Sequence, residues 1–130
     1  MLFETQNKKQ VLDITDSVNE YLSKKNFRDG LCHLFIKHTT ACLTTADLDP
    51  GTDLDYLDAF DALMPKLNYR HPHNPDHVVD HILSSIIGAS LTIPVIDGQI
   101  QLGQWQRVVL IELDGPRERK VDVCLIADVQ

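Results

Sequence analysis

Apolar and polar positions alternate over residues 31–38, which is typical of a β-strand with one buried face. Cys32, Leu34 and Ile36 share a face with His38, so the pattern places His38 at the end of a buried row. Other short runs rich in β-branched and aliphatic residues predict further strands, at 2–6, 10–14, 90–96, 99–102, 105–113 and 119–127.

Two segments in the first half of the chain repeat apolar residues at helical spacing instead. In residues 17–25, Ser17 and Glu20 have the spacing of a capping box, which predicts that the first helix begins at Ser17. Residues 56–64 follow a turn sequence and end at a proline, and their apolar residues predict a second helix.

A third helix is predicted from Asn74, a capping residue, and Pro75, which suits the first helical position. The helix is expected to end before Gly88. Its expected inward-facing residues are Val78, Val79, Ile82, Leu83 and Ile86. His77 and His81 would then lie on its polar side.

Turn sequences connect the predicted strands of the second half. Residues 97–98, Asp-Gly, are a strong signal for a tight hairpin, and residues 114–116, Asp-Gly-Pro, predict a second strand pair. Pro94 lies within a predicted strand and indicates an edge or a bulge, because proline cannot donate to the ladder. The pattern predicts a single α+β domain over residues 1–130, with a mainly antiparallel or mixed sheet and about three helices.

Charge and composition exclude several classes of protein. A chain of 130 residues with 43% hydrophobic composition can bury one core, and its net charge of -7 disfavours a protein that binds nucleic-acid backbones. No signal peptide or membrane-spanning stretch is apparent, so a soluble cytoplasmic protein is expected. The cysteines are odd in number and form no C-x-x-C pair, and we expect small core residues at Cys32, Cys42 and Cys124.

Histidines supply the first candidate chemistry. Four of the six lie in one polar segment, at His71, His73, His77 and His81, and His38 ends the strand described above. Imidazole titrates near neutral pH and is the commonest metal ligand, so this concentration indicates a metal site or a phosphate site.

Charged residues on apolar strand faces supply the second candidate chemistry. Glu112 and Arg119 each lie on a face made otherwise of apolar residues, and a buried charge requires a partner or a ligand. Two interpretations stay open: a structural ion pair between them, or Arg119 binding a phosphate or carboxylate. Trp105 is expected to be a packing anchor, with a stacking platform as the alternative.

Motifs along nearly the whole chain occur in a fixed order: His38-Thr39-Thr40-Ala41, Tyr69-Arg70-His71, His81-Ile82-Leu83-Ser84-Ser85 with Gly88, Ser90-Leu91-Thr92-Ile93-Pro94, and Gly103-Gln104-Trp105-Gln106. In these motifs the chain resembles the YjbQ family, which is identified with a secondary thiamine-phosphate synthase activity. The resemblance implies an α+β fold, a homotrimer and a histidine pocket able to hold zinc. The family's histidines fall on His38, His71 and His81, and do not include His33, His73 or His77.

The chain departs from the family pattern at two places. Ala46-Asp47-Leu48 replaces the family's usual Asn-Glu-Asn, which shortens an expected pocket carboxylate to Asp47, and Gln104 replaces a threonine. The resemblance and the strand pattern together give the candidate catalytic residues His38, His71, His81, Asp47 and Glu112, of which the histidines are also the candidate metal ligands. The candidate substrate-binding residues are Thr39, Thr40, Trp105, Gln106, Arg117 and Arg119.

Three functions are compatible with these residues. The first is thiamine-phosphate synthesis, the second is metal-assisted hydrolysis of a phosphorylated metabolite with Asp47 or Glu112 moving a proton, and the third is a non-catalytic trimeric module. Each implies a small anionic or phosphorylated metabolite as partner, and no nucleic acid or membrane. The expected cofactor is a divalent metal, zinc first, with magnesium still open.

Overall fold

Two antiparallel sheets and three helices form the molecule, which is described here from a computed structural model over residues 1–128. The strands are β1 (Leu2–Glu4), β2 (Gln10–Asp13), β3 (Gly30–Ile36), β4 (Ala41–Ala46), β5 (Ser90–Ile96), β6 (Gln99–Ile100), β7 (Arg107–Glu112) and β8 (Glu118–Ala127). The helices are α1 (Thr15–Lys24), α2 (Thr52–Leu63) and α3 (Val78–Ile87), with a short 3-10 helix at Pro75–His77. The predicted α+β fold with three helices is confirmed.

The five-stranded sheet has the order β1-β8-β3-β5-β6, and the three-stranded sheet has the order β2-β7-β4. The main core lies between the sheets and under α1, which buries Val18 and Leu22. The alternation in β3 is confirmed, because Cys32, Leu34 and Ile36 are all buried in that core. A second cluster covers the other face of β7, so this strand is buried on both faces.

The predicted capping box of α1 is wrong. The helix begins at Thr15, two residues before Ser17, and Ser17 is exposed within its first turn. Thr15 N–H donates to Asp13 Oδ1 at 3.0 Å, so an aspartate at the end of β2 satisfies the first free amide.

The predicted pairing of β7 with β8 is also wrong, because these strands belong to different sheets. Gly115 lies between them, and its N–H donates to Lys8 O at 2.9 Å. A Cβ at Gly115 would collide with Asn7 O and Glu112, so the loop packs closely on the N-terminal segment. The Asp-Gly-Pro sequence therefore carries the chain from one sheet to the other.

The third helix is confirmed, but its inward face differs from the prediction. Asn74 Oδ1 accepts from Asp76 N–H as the expected cap, and a 3-10 helix, Pro75–His77, precedes α3. Asp80 is buried with Leu83 and Ser84, whereas Ile86 is 70% exposed.

Several apolar side chains are exposed where burial was expected. Trp105 is 66% exposed and so is not a packing anchor within one chain, and Cys124 is exposed although Cys32 and Cys42 are buried. α2 buries no residue completely. β6 pairs with the last two residues of β5, and Gln101 N–H donates to Pro94 O at 2.8 Å, so within the described residues only the part of β5 before Pro94 has no second strand beside it. Within residues 1–128, no helix has the length and apolar character needed to cross a lipid bilayer.

Candidate functional site

One cavity of about 660 Å³ contains all three family histidines. It is formed where the end of β3, the start of β4, the loop after α2 and the helix α3 meet. Its lining residues are His38, Thr39, Ala41, His71, Val78, His81, Ser84, Ser85, Gly88 and Ala89. We call this cavity the histidine pocket. Residues far apart in the sequence are thus brought together, as the family resemblance implied.

His38 is a hydrogen-bond acceptor through one ring nitrogen. Lys120 N–H, on the neighbouring strand β8, donates to His38 Nε2 at 2.9 Å. In a neutral imidazole the proton then lies on Nδ1, which makes that nitrogen a donor. Burial lowers the pKa of His38, and the positive charges of Arg119 and Arg117 lower it further against the opposing effect of Glu112. His38 is therefore a neutral donor at pH 7.

His81 is held in the opposite tautomer. Its Nδ1 lies 3.1 Å from Thr39 O, and because a carbonyl only accepts, Nδ1 must carry the proton. Nε2 then keeps its lone pair, as in histidines that bind metal or take a proton. The same contact fastens α3 to the turn after β3.

His71 completes the set from the loop after α2. Its ring stacks on His81 with centroids 5.2 Å apart and planes 27° apart. Its Nδ1 is buried and has no hydrogen-bond partner among residues 1–128. An unpaired buried polar atom costs about 1–3 kcal/mol, so this nitrogen suits a ligand, a proton or a metal ion.

Two of the three histidines fit the expected metal. His81 Nε2 offers a free lone pair, and His71 Nδ1 is a buried ring nitrogen that no group among residues 1–128 occupies. His38 offers no free lone pair, because Nε2 already accepts from Lys120 and Nδ1 holds the proton. Within residues 1–128, moreover, the ring nitrogens of these three do not form a cluster with all members within 4.8 Å of one another. The geometry gives His38 the role of donor rather than ligand.

Glu112 and Arg119 lie behind the pocket and do not line it. Their side chains are 0% and 1% exposed, and the guanidinium of Arg119 contacts both carboxylate oxygens of Glu112. Arg119 Nη2 also donates to Thr40 O at 3.0 Å and to Thr40 Oγ1 at 2.8 Å. Of the two interpretations left open by the sequence, the structural ion pair is confirmed. Arg119, Glu112 and Thr40 position the turn that carries His38 and Thr39, and none of the three lines the histidine pocket.

Arg117 is half-exposed but has a partner of its own. Its Nε donates to Asp114 O and its Nη2 to Asp114 Oδ2, both at 2.8 Å. It does not line the histidine pocket, although its charge reaches His38.

Asp47, Trp105 and Gln106 lie around a separate cavity of about 470 Å³, which we call the tryptophan pocket. Within the described chain the two pockets share no lining residue. Ala41 borders the first and Ala46 the second, and five residues of strand β4 span about 17 Å. Within one chain, the predicted site residues that line a cavity thus fall into two separate pockets, and Thr40, Glu112, Arg117 and Arg119 line neither.

The remaining histidines take other roles. His33 Nδ1 lies 2.8 Å from Thr92 Oγ1 across the sheet, and His77 Nε2 lies 3.0 Å from Asp114 Oδ2. Sequence reasoning missed Ser84 as a pocket residue and Asp80 as a buried carboxylate. The available signal for Ser84 was its position three residues after His81, on the same face of α3.

Comparison with known proteins places these features in a family context. Residues 1–128 match the family described as UPF0047 protein YjbQ-like. A UPF0047 protein of Mycobacterium bovis is 37% identical over 114 residues, which cover 85% of this chain and 87% of that protein. The UPF0047 protein YjbQ of Salmonella typhimurium is 38% identical over 112 residues, or 81% of each chain.

Solved structures agree in fold over nearly the whole chain. An uncharacterized conserved protein of the yjbq/upf0047 family from Clostridium acetobutylicum has a TM-score of 0.86 at 36% identity, covering 97% of this chain and 98% of that one. A YbjQ-like protein of unknown function from Sulfolobus solfataricus has a TM-score of 0.89 at 29% identity, covering 98% and 94%.

Proposed function

We propose, since this chain belongs to the YjbQ-like UPF0047 family, that its histidine pocket binds a phosphorylated metabolite and supports a low thiamine-phosphate synthase activity. The observation that carries the proposal is that the three histidines differ in the hydrogen bonds that their ring nitrogens make. His38 offers a donor, His81 offers a free lone pair at Nε2, and His71 offers a buried Nδ1 without a partner among residues 1–128, all in the same cavity.

The proposed reaction needs no oxidant and no external base. The bond between the methylene carbon of a hydroxymethylpyrimidine diphosphate and its diphosphate oxygen breaks, and diphosphate leaves with the electron pair. The ring nitrogen of a thiazole phosphate uses its lone pair to form the new bond to that carbon. Such a reaction chiefly needs neutralisation of the leaving group and alignment of the two rings.

The surroundings of His38 favour an anion. Both Arg119 and Arg117 act on His38 as positive charges, and burial reduces the screening of those charges by water. The Nδ1–H of His38 can then donate to a phosphate oxygen, and Thr39 lines the same cavity with a further hydroxyl group. Arg119 contributes through its charge and through Thr40, without touching the substrate.

His71 and His81 are the residues that would hold a divalent metal in this pocket. Imidazole nitrogens suit zinc better than magnesium, so zinc is the metal we propose. When bound there, zinc would supply positive charge for the departing diphosphate. In its absence, a protonated His71 or His81 would donate a hydrogen bond to the same group.

The tryptophan pocket has a proposed role through assembly. Trp105 is 66% exposed, Asp47 and Gln106 line the same cavity, and within the described chain this cavity shares no lining residue with the histidine pocket. We propose that a homotrimer brings this pocket of one chain against the histidine pocket of the next. The exposed indole would then stack on a substrate ring.

Steady-state assays of variants test the proposal. Purified protein is supplied with the pyrimidine diphosphate and the thiazole phosphate, with and without Zn²⁺, and thiamine phosphate is followed by chromatography. His81→Asn keeps an amide donor for Thr39 O but removes Nε2, so we expect kcat/KM to fall about a hundredfold. His73→Asn is the matched control, because His73 is exposed and does not line the pocket. Product no higher than without enzyme, or equal activity of the two variants, contradicts the proposal.

Metal-assisted hydrolysis of a phosphorylated metabolite is the second candidate. The buried, unpaired Nδ1 of His71 favours it, since a metal ion would satisfy that atom and activate water. The same variants distinguish it. Release of inorganic phosphate from a phosphate ester, dependent on metal and lost in His81→Asn, would support hydrolysis over synthesis.

A further inference from the structure

We propose that His77, Asp80 and Asp114 form a second site, distinct from the histidine pocket, that binds a divalent transition-metal ion. One ligand atom from each residue lies within 4.8 Å of the other two. Among the histidine, cysteine, aspartate and glutamate side chains of residues 1–128, these three are the ones that form a group of at least three with this spacing. They come from the 3-10 helix, from α3 and from the loop between β7 and β8.

The backbone already brings the three side chains together. His77 and Asp80 are three residues apart on consecutive helical turns, so they point to the same side. Asp114 meets them from the opposite loop, with His77 Nε2 only 3.0 Å from its Oδ2. Ligand atoms around a tetrahedral metal are about 3.3 Å apart when the bonds are about 2 Å long. Side-chain rotations are therefore enough to close the site.

The donor set and its burial favour a cation. One imidazole and two carboxylates suit zinc, manganese or iron. The side chains of Asp80 and Asp114 are only 10% and 12% exposed, so two carboxylates repel each other with little water between them. Lys9 Nζ is 3.9 Å from Asp80 but 2.7 Å from Asp61, and it is bonded chiefly to the latter. Arg117 contacts Asp114 at 2.8 Å, and a metal ion would add positive charge between the two carboxylates.

Arg117 fits the site as a residue that orients a ligand. Arg117 donates hydrogen bonds to the backbone oxygen and to Oδ2 of Asp114. The N–H of the residue after Asp114, Gly115, donates to Lys8 O. Such outer contacts fix metal-binding carboxylates in place. The competing interpretation is that His77, Asp114 and Arg117 form an ion-pair network that needs no metal, and the experiment separates the two.

A metal ion bound at the second site would influence the adjacent histidine pocket. The rings of His77 and His81 are 6.1 Å apart between centroids, so an ion at His77 stands beside the histidine pocket. It would fasten the start of α3 to the loop between the sheets and add positive charge near the proposed phosphate position. This inference goes beyond the proposed function and does not depend on it.

Metal titration of the whole protein tests the proposal. A His71→Ala/His81→Asn double variant first removes the free nitrogens of the histidine pocket. After chelator treatment, Co²⁺ is titrated by calorimetry, and its visible absorption is recorded. We expect one Co²⁺ per chain in this background. Adding Asp80→Asn should weaken binding about tenfold or more, whereas Asp76→Asn, at an exposed position of the 3-10 helix, should leave it unchanged.

Two results would overturn the proposal: no Co²⁺ binding in the double variant, or equal affinity in the Asp80→Asn and Asp76→Asn variants. If Asp80→Asn lowers the melting temperature too far for titration, His77→Gln takes its place, since that side chain is 31% exposed and tolerates change better. Its expected loss of affinity is the same. Failure of the synthase assay leaves these outcomes unaffected, because Co²⁺ binding is measured without substrate.

Discussion

At the scale of single residues, the buried pair of Glu112 and Arg119 determines where the pocket lies. The guanidinium spans from the carboxylate to Thr40, and Thr5 Oγ1 donates to Glu112 Oε1 at 2.7 Å. A buried ion pair is worth little compared with apolar residues, but removing one partner leaves an uncompensated charge. The pair is thus a device that fixes the turn after β3 in one position.

Glu112→Gln should therefore destabilise the protein by about 3–5 kcal/mol, because Arg119 loses its counter-charge in a dry environment. Urea unfolding followed by circular dichroism measures the change. Asp122→Asn is the control, since Asp122 pairs with Lys37 at 3.2 Å on the surface, where such pairs contribute about 0–1 kcal/mol. A Glu112→Gln protein as stable as the control variant would show that the pair is dispensable.

The lowered pKa of His38 predicts a pH dependence. Burial, assisted by Arg119 and Arg117, keeps the folded state from taking a proton that the unfolded chain accepts at its ordinary pKa of 6.5. The unfolded state binds more protons in that range, so stability is complete above pH 6.5 and falls as the pH drops towards the folded pKa. His38→Gln, whose amide oxygen can still accept from Lys120, should flatten this slope between pH 7 and 5. An unchanged slope would contradict the assignment.

At the scale of elements, the sequence predicts what depends on one strand or helix alone. Strand β3 could be predicted because one of its faces is buried and the other is not. The cap at Asn74 could be predicted because it depends on a hydrogen bond between residues only two apart in the sequence. Strand β7 is buried on both faces, so its pattern could not show which sheet it joins. Ile86 is exposed because α3 packs through the face that carries Asp80, Leu83 and Ser84, and apolar periodicity alone did not show that a face with an aspartate is the buried one.

The candidate site shows the same limit. The ion pair was foreseeable, because Glu112 and Arg119 stand out on apolar strands and a buried charge needs a partner. The separation of Trp105 from the histidines could not be foreseen. It arises because the two ends of β4 border different pockets, which depends on the three-dimensional fold. Likewise, the tautomers of His38 and His81 depend on backbone atoms of distant segments.

At the scale of the whole molecule, we expect the exposed apolar side chains to be covered by a binding partner. Trp105, Ile86, Leu54 and Leu63 are each more than 60% exposed, and α2 buries no residue completely. We propose that these side chains belong to an interaction surface, since contiguous apolar surface is typical of such sites. A second and third copy of the chain would cover it and would also protect the open sheet edges.

We therefore expect light scattering at micromolar concentration to give a mass three times that of the chain. Trp105→Ala should shift the distribution towards smaller species, because an aromatic anchor would be lost from the contact. Lys66→Ala, at an exposed charged position, should leave the mass unchanged. A wild-type protein with the mass of one chain would rule out the proposed homotrimer and the shared pocket.

In the proposed function, His38, His71 and His81 together bind the phosphate groups of the substrate. The test is a titration with inorganic pyrophosphate, the leaving group of the proposed reaction, in which ¹⁵N-labelled histidine rings are followed by NMR. We expect the ring nitrogens of these three to shift together and to saturate at one concentration, whereas those of His33 and His73 do not move. Shifts confined to His33 or His73, or no saturable shift at all, would rule this binding out.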